Sequence, residues 1–172
     1  MFKGIDGLYE IIPLDIFRKT EGVNFDLIPA SLLPKISSMD RVIHKKGAIS
    51  PGSVAGVKRP WYMHPNQDDN LIVLFGTRYV DLYTKKHGKV EFFKVKSDKI
   101  EHDGEIIFDG PAMLVWPRGV FHRVESGSEG SASLNFAVHY NNFDINTNFS
   151  IYKLDTDNGK YEVIRKGTLD QK

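Results

Sequence analysis

The chain contains no cysteine. A disulfide framework, a thiolate metal site and a cysteine nucleophile are therefore excluded, and the composition suits a reducing compartment, so a cytoplasmic protein is expected. An excess of one charge is also missing: 23 Lys and Arg stand against 22 Asp and Glu, for a formal charge of +1. Proteins that hold nucleic acid by neutralising phosphates carry a clearer basic excess. The pairs Lys45-Lys46, Lys58-Arg59 and Lys85-Lys86 are isolated, so no nucleic-acid partner is expected. Long apolar runs are lacking too. The longest, Leu71 to Phe75, is far too short to cross a bilayer, and Met1-Phe2-Lys3-Gly4-Ile5-Asp6 is too polar and interrupted for a signal peptide. No membrane partner is expected. No internal repeat, Ser-centred nucleophile elbow or Gly-rich phosphate cradle stands out.

What is present points to one all-β domain. A chain of 172 residues with 41% hydrophobic and 12% aromatic residues can fill a single core. From Arg41 onward, short β-rich runs alternate with turn signals. Strands are expected at Arg41–His44, Ser53–Lys58, Leu71–Phe75, Arg78–Tyr83, Val90–Val95, Glu105–Phe108, Ala112–Trp116, Phe121–Glu125, Ser131–Tyr140, Phe149–Leu154 and Lys160–Ile164. Ser50-Pro51-Gly52, Gly76, His87-Gly88, Asp103-Gly104, Asp109-Gly110-Pro111, Ser126-Gly127 and Asn158-Gly159 separate them. Residues 1–40 read as an irregular N-terminal arm, with a helical turn or two at Leu14 to Lys19 and Ala30 to Met39. Residues 41–165 read as a barrel and 166–172 as a frayed tail. The arm carries Phe17, Phe25, Leu27 and Ile28, which are expected to pack on the barrel or on a second subunit of a homodimer.

Alternation places the imidazoles. In Val120-Phe121-His122-Arg123-Val124-Glu125, His122 shares a face with Val120 and Val124, while the charged Arg123 and Glu125 face the other way. His122 therefore points into the barrel. Tyr62 and His64 share one face of Trp61-Tyr62-Met63-His64, so two imidazoles and a phenol could converge on one cavity. His139 falls on the face opposite Leu134, Phe136 and Val138 and reads as exposed. His44, His87 and His102, set among charges or turns, read as surface residues.

Two stretches resemble the paired motifs of the cupin superfamily. In the first, His64 matches the second His of a His-x-His pair, Asp69 stands at the acidic position and Gly76 follows seven residues on, with Tyr62 in place of the first His. In the second, Gly110 precedes Pro117-Arg118-Gly119-Val120-Phe121-His122. The resemblance implies a double-stranded β-helix, a jelly-roll barrel with a small-molecule cavity. The run Gly56 to Asp69, with its His64-Pro65-Asn66-Gln67 element, is similar to small cupins related to dTDP-4-dehydrorhamnose 3,5-epimerase and sugar ketoisomerases. So is the opening Gly4-Ile5-Asp6-Gly7, with Ile12-Pro13-Leu14 and Thr20-Glu21-Gly22. Met63-His64-Pro65 departs from the epimerase's own Arg-Gly-x-His-Tyr-Gln run.

That narrower likeness implies metal-free acid/base work on a keto sugar, including nucleotide-linked ones, with no cofactor required. His64 would be the base, Tyr62 the acid, and Asp68 or Asp69 would orient the imidazole. Gln67, His122, Trp116 and Arg59 are the expected substrate-binding residues. Arg59, Arg78, Arg118 and Arg123 are candidate diphosphate ligands, although surface solvation is the default for each. Trp61, Tyr79, Phe92 and Phe136 could line the cavity beside Trp116, though such residues more often form core. A different class remains open: His64, Asp69 and His122 form a two-His-one-carboxylate set for Fe, Mn, Ni, Cu or Zn, with Tyr62 or Gln67 as a fourth ligand, as in a metal-dependent oxygenase or isomerase. A non-catalytic ligand-binding barrel is the third alternative.

Overall fold

The computed structural model describes residues 3–33 and 35–169. Met1, Phe2, Pro34 and the end of the expected tail, residues 170–172, lie outside the described residues. Among the described residues fifteen strands occur in chain order. They are β1 Lys3–Ile5, β2 Tyr9–Pro13, β3 Asp15–Thr20, β4 Val23–Leu27, β5 Ser38–His44, β6 Ile49–Ser50, β7 Trp61–Met63 and β8 Gln67–Tyr83. There follow β9 Glu91–Val95, β10 Lys99–His102, β11 Glu105–Asp109, β12 Ala112–Trp116, β13 Phe121–His139, β14 Ile151–Asp155 and β15 Lys160–Arg165. One short helix, α1, spans Ile145–Asn148.

The frame is an antiparallel ribbon of the two longest strands, β8 and β13, paired from Phe121 opposite Tyr83 to His139 opposite Gln67. Along one half of the ribbon, β12 extends the sheet from β8 and β5 from β13. Along the other half, β9 flanks β8, while β6 and β7 flank β13. Each strand of the ribbon thus serves both ends of the barrel, which is the jelly-roll arrangement the sequence led us to expect. The separate strands expected at Leu71–Phe75 and Arg78–Tyr83 are one strand, as are those at Phe121–Glu125 and Ser131–Tyr140, because their turn-like residues sit in bulges. Register shifts lie between Ser126 and Ser131 and between Ala132 and Ser133. Gly76, at φ +72°, faces the Gly130 carbonyl so closely that a Cβ there would stand 2.0 Å from that oxygen, so only glycine fits. Across this bulge the inward parity changes: Leu71 and Val73 face the core before it, Val80 and Leu82 after it.

The main core lies inside the barrel and gathers Leu71, Val73, Val80, Leu82, Phe93, Leu114, Trp116 and Val120. A second cluster, Ile12, Leu33, Ile72, Met113 and Phe136, forms under the N-terminal segment, and a third, Trp61, Tyr83, Phe121 and Tyr152, under β14. That segment is more regular than an irregular arm. β1 and β2 join the main sheet through β12, and β5 begins at Ser38. The span expected as a helical turn at Leu14 to Lys19 is instead β3, which pairs with β4 in a separate two-stranded sheet. Strands of three to six residues, punctuated by glycine and proline, give too short a pattern to read locally. Of the span at Ala30 to Met39, a 3-10 turn forms at Ala30–Leu32. The expected strand at Ser53–Lys58 is a turn closed by a bridge between Val54 and Val57. The tail is anchored before it leaves the described residues: Gly167 is buried and its N–H donates to Ser150 Oγ at 3.3 Å.

Candidate active site

The two motif segments meet at β7 and β13. Tyr62 pairs with His122 across these strands, and Pro117 to Val120 forms the turn that leads into β13. Gly119, at φ +82°, allows that turn, and its N–H donates to the His64 carbonyl at 2.8 Å. The second motif is thereby tied to the first, and the ring centroids of His64 and His122 stand 4.7 Å apart.

Both imidazoles are buried, at 5% exposure each. The Nδ1–H of His64 donates to the Asn148 carbonyl at 2.6 Å, and that of His122 to the Val120 carbonyl at 3.2 Å. A carbonyl accepts only, so each bond fixes the proton on Nδ1 and leaves Nε2 of the neutral ring with a lone pair. Burial, then the neighbouring His64, pulls the His122 pKa down to about 4, so this ring is neutral at physiological pH. Asp69 Oδ2 lies 3.4 Å from His64 Nε2, is buried and has no hydrogen-bond partner. Its other oxygen accepts from Gln67 Nε2 at 2.8 Å and Asn135 Nδ2 at 2.7 Å. The orienting bond to His64 therefore comes from a backbone carbonyl, and Asp69 faces the reactive nitrogen instead. Asp68 points elsewhere, accepting from the Arg118 N–H at 2.7 Å and the Tyr140 hydroxyl at 2.5 Å.

A cavity of about 200 Å³ opens onto these groups, lined among others by Tyr62, His64, Gln67, Asp69, Trp116 and His122. Tyr62 is half-buried, its ring centroid 6.4 Å from His64 and 6.0 Å from His122. Trp116 is buried with its Nε1–H unpartnered, a donor available to a ligand. Gln67 is fully engaged: its oxygen accepts from Asn148 Nδ2 at 2.9 Å and contacts His139 Nε2 at 3.1 Å. A larger concavity of about 510 Å³, bordered by Gly4, Gly7, Glu10 and Asp68, brings no imidazole with it.

Other expected residues fall elsewhere. Arg59 does not line the cavity; it pairs with Glu125 and reaches Asp81 at 3.8 Å, because its segment runs along the charged face of β13. Arg123 joins Asp81 at 2.7 Å and covers Trp61, while Arg118 lies over Tyr140. Tyr79 and Phe92 are 42% and 50% exposed, and Phe136 packs in the cluster under the N-terminal segment. Sequence reasoning missed several cavity groups. Arg78, read as solvated by default, is 3% exposed and lines the cavity, as do His44, Ser133, Asn135 and Phe149. His139 is half-buried, stacked on Phe143 at 3.6 Å rather than free in solvent. His87 and His102 both bond Glu91, itself buried. Only Arg78 and the histidines carried a readable signal: in the expected strand Arg78–Tyr83, Arg78 shares a face with Val80 and Leu82, which are core.

A sugar 3,4-ketoisomerase from Thermoanaerobacterium thermosaccharolyticum, in complex with TDP, superposes with a TM-score of 0.56 at 14% identity, over 79% of this chain and 82% of its own. A dTDP-4-dehydrorhamnose 3,5-epimerase from Sulfolobus tokodaii gives 0.58 at 16% identity, over 84% and 77%. A TDP-quinovose 3,4-ketoisomerase from Campylobacter jejuni gives 0.55 at 15%, over 79% and 87%. The chain has the cupin-type fold of these sugar-nucleotide enzymes. No family model matches the sequence, and no curated protein matches it. At such identities the likeness concerns the fold, and function has to be argued from the site. Among the described residues, no helix is long and apolar enough to cross a membrane.

Proposed function

We propose that this protein is a cytoplasmic isomerase or epimerase of keto sugars, with nucleotide-linked sugars as the substrate class. The observation that carries the reading is His64: a buried imidazole whose Nδ1–H is held by the Asn148 carbonyl, leaving Nε2 to face the cavity beside Asp69. Such a nitrogen can take the proton from a carbon next to a carbonyl, and Asp69 then stabilises the imidazolium that forms. Tyr62 supplies a proton to the carbonyl oxygen as the enediol develops, and Trp116 Nε1–H offers a hydrogen bond to it. Delivery of the proton from the His64 imidazolium to the former carbonyl carbon, while the hydroxyl on the first carbon gives its proton to the Tyr62 phenolate, moves the carbonyl. Protonation of the first carbon from solvent on its other face, with the enol proton returned to Tyr62 and the His64 proton released to solvent, inverts the centre. The shared fold supports a sugar nucleotide, since the neighbouring enzymes are named for such substrates. The test is NMR in D2O with TDP-4-keto-6-deoxyglucose, the ligand of a variant ketoisomerase of this fold. Deuterium entering beside the carbonyl, and its loss in His64→Asn, is the expected result; exchange that persists in His64→Asn refutes the role of His64, and no exchange with the wild type removes this nucleotide-linked sugar as a substrate.

One observation favours a second reading. His64, His122 and Asp69 each offer a ligand atom within 4.8 Å of the others. Both rings have Nδ1 tied to the backbone, as metal-bound histidines commonly do, and Asp69 Oδ2 has no hydrogen-bond donor. This donor set fits Fe, Mn, Ni, Cu or Zn, which would polarise a substrate oxygen. Gln67 is committed to Asn148 and Asp69 and is no longer a ready fourth ligand.

We also propose a homodimer. The hairpin β3–β4 is exposed throughout, with Phe17 at 58% and Phe25 at 39%. Met39 and Ile43 on β5 are exposed at 61% and 54%. Concentrated apolar surface of this kind marks an interface.

A further inference from the structure

The cavity contains a cation with no counter-ion. Arg78 donates from Nε to Ser131 Oγ at 3.2 Å and from Nη2 to the Val42 carbonyl at 3.1 Å. Among the described residues no carboxylate pairs with it, whereas Arg59 and Arg123 both have acidic partners. Burial alone draws its pKa down to about 10, as happens to a guanidinium removed from water without a compensating charge. Two polar atoms on the same cavity wall lack partners as well. Ser133 Oγ, on a residue 1% exposed, and His44 Nδ1 are both buried without a hydrogen bond. Keeping a charge and two polar groups unsatisfied in one place is costly unless a ligand completes them.

We propose that Arg78 is a substrate-binding residue and that the substrate of this enzyme carries a carboxylate, received by Arg78 with Ser133 Oγ–H as a second donor. The proposal rests on the reading of this cavity as the substrate site. Asn135 holds Asp69 and Ser131 holds Arg78 from positions four residues apart on β13, so the anion site is displaced along one cavity from the Asp69 carboxylate that faces His64. A ligand spanning them has a reacting centre near His64 and an anionic group several bonds away, as in a sugar acid. At Arg78 charge selects a carboxylate over a diphosphate, so in a nucleotide-linked substrate the carboxylate belongs to the sugar and the diphosphate stays outside this cavity. Arg78 is the sole Lys or Arg among the lining residues, and Asp40 and Asp69 line the same space. A diphosphate would meet one cation and two carboxylates.

The test compares D-glucuronate, D-glucose and TDP by thermal shift and calorimetry on the full chain, as wild type, Arg78→Met and Ser133→Ala. Glucuronate should stabilise the wild type where glucose at equal concentration does not. Arg78→Met should weaken glucuronate about tenfold or more, the loss of a charge-assisted hydrogen bond, and without ligand should melt no lower than the wild type. Ser133→Ala should weaken it less. Glucuronate binding that is absent, matched by glucose or indifferent to both substitutions overturns the proposal. So does a lowered melting point of unliganded Arg78→Met, which would make the residue structural. TDP binding that depends on Arg78 while glucuronate fails would assign the site to a diphosphate. None of these readings depends on turnover, so a failed deuterium-exchange experiment leaves them intact, and their failure leaves His64 chemistry standing.

Discussion

His64 and His122 face each other at 4.7 Å between ring centroids, each with its Nδ1 on a backbone carbonyl. The two come from segments far apart in sequence, His64 just past β7 and His122 in β13, and both leave Nε2 for the cavity and Asp69. If the site performs proton transfer, protein purified without a histidine tag should hold far less than one metal per chain, and activity should survive chelator. Stoichiometric metal by elemental analysis, lost in His122→Ala, would instead establish the His64–Asp69–His122 centre and demote His64 as a free base.

Tyr62 is the group whose removal separates binding from chemistry. Its phenol lies between the two imidazole rings and Phe149, half-buried, so Tyr62→Phe keeps the ring packing. Loss of a general acid costs about 10²–10⁴ in kcat. The expected result is a fall of that order in kcat with KM nearly unchanged; an unaltered kcat would remove Tyr62 from the proton path.

His44 should make the fold acid-sensitive. Burial, then the Arg78 charge, lowers its pKa to about 4. Between pH 6.5 and about 4 the unfolded chain therefore binds a proton that the folded chain refuses, and stability falls as pH drops through that window. The contribution is complete above pH 6.5 and amounts to at most about 1.4 kcal/mol per pH unit. Urea denaturation of wild type and His44→Gln at several pH values measures it: the variant should show the shallower acid slope, and equal slopes would refute the assignment.

How much of this could be read from the sequence depended on how local the signal was. Gly76, Gly119, His64 and His122 are fixed by turns and alternation within a few residues, and each stands where alternation and motif placed it. Asn135 and Asn148 act on partners 66 and 81 residues away, so nothing near them in the chain announces the role. Arg78 shares its face of the expected strand with Val80 and Leu82, which are core, but solvation as the default for an arginine overrode that signal. Arg59 failed for the opposite reason: a basic residue near the motif looks useful until pairing shows Glu125 and Asp81 beside it.

The exposed hairpin predicts the assembly. Light scattering should give the mass of two chains, and Phe17→Asp should shift it to one while leaving the circular dichroism of the barrel unchanged, because β3 and β4 pair only with each other. A wild-type monomer at micromolar concentration would refute the dimer.

Glu91 carries the last prediction, on stability rather than chemistry. At 3% exposure it contacts His87 Nε2 at 2.6 Å and His102 Nε2 at 2.5 Å, and accepts from Lys89 Nζ at 3.3 Å. Burial pushes its pKa up, but the hydrogen bonds from His87, His102 and Lys89 together outweigh it and leave the carboxyl below its usual range. The stabilisation is therefore present above the ordinary glutamate pKa and is lost as pH falls through the lower folded value. Glu91→Gln replaces one acceptor oxygen by a donor that confronts a histidine N–H. Removing hydrogen bonds to a buried charged group costs about 1.5–3 kcal/mol. Urea unfolding at pH 7 should show a loss of about 2 kcal/mol, with activity per folded molecule retained. A change within about 0.5 kcal/mol, the range of an ordinary surface substitution, would mean that the fold does not depend on this carboxylate.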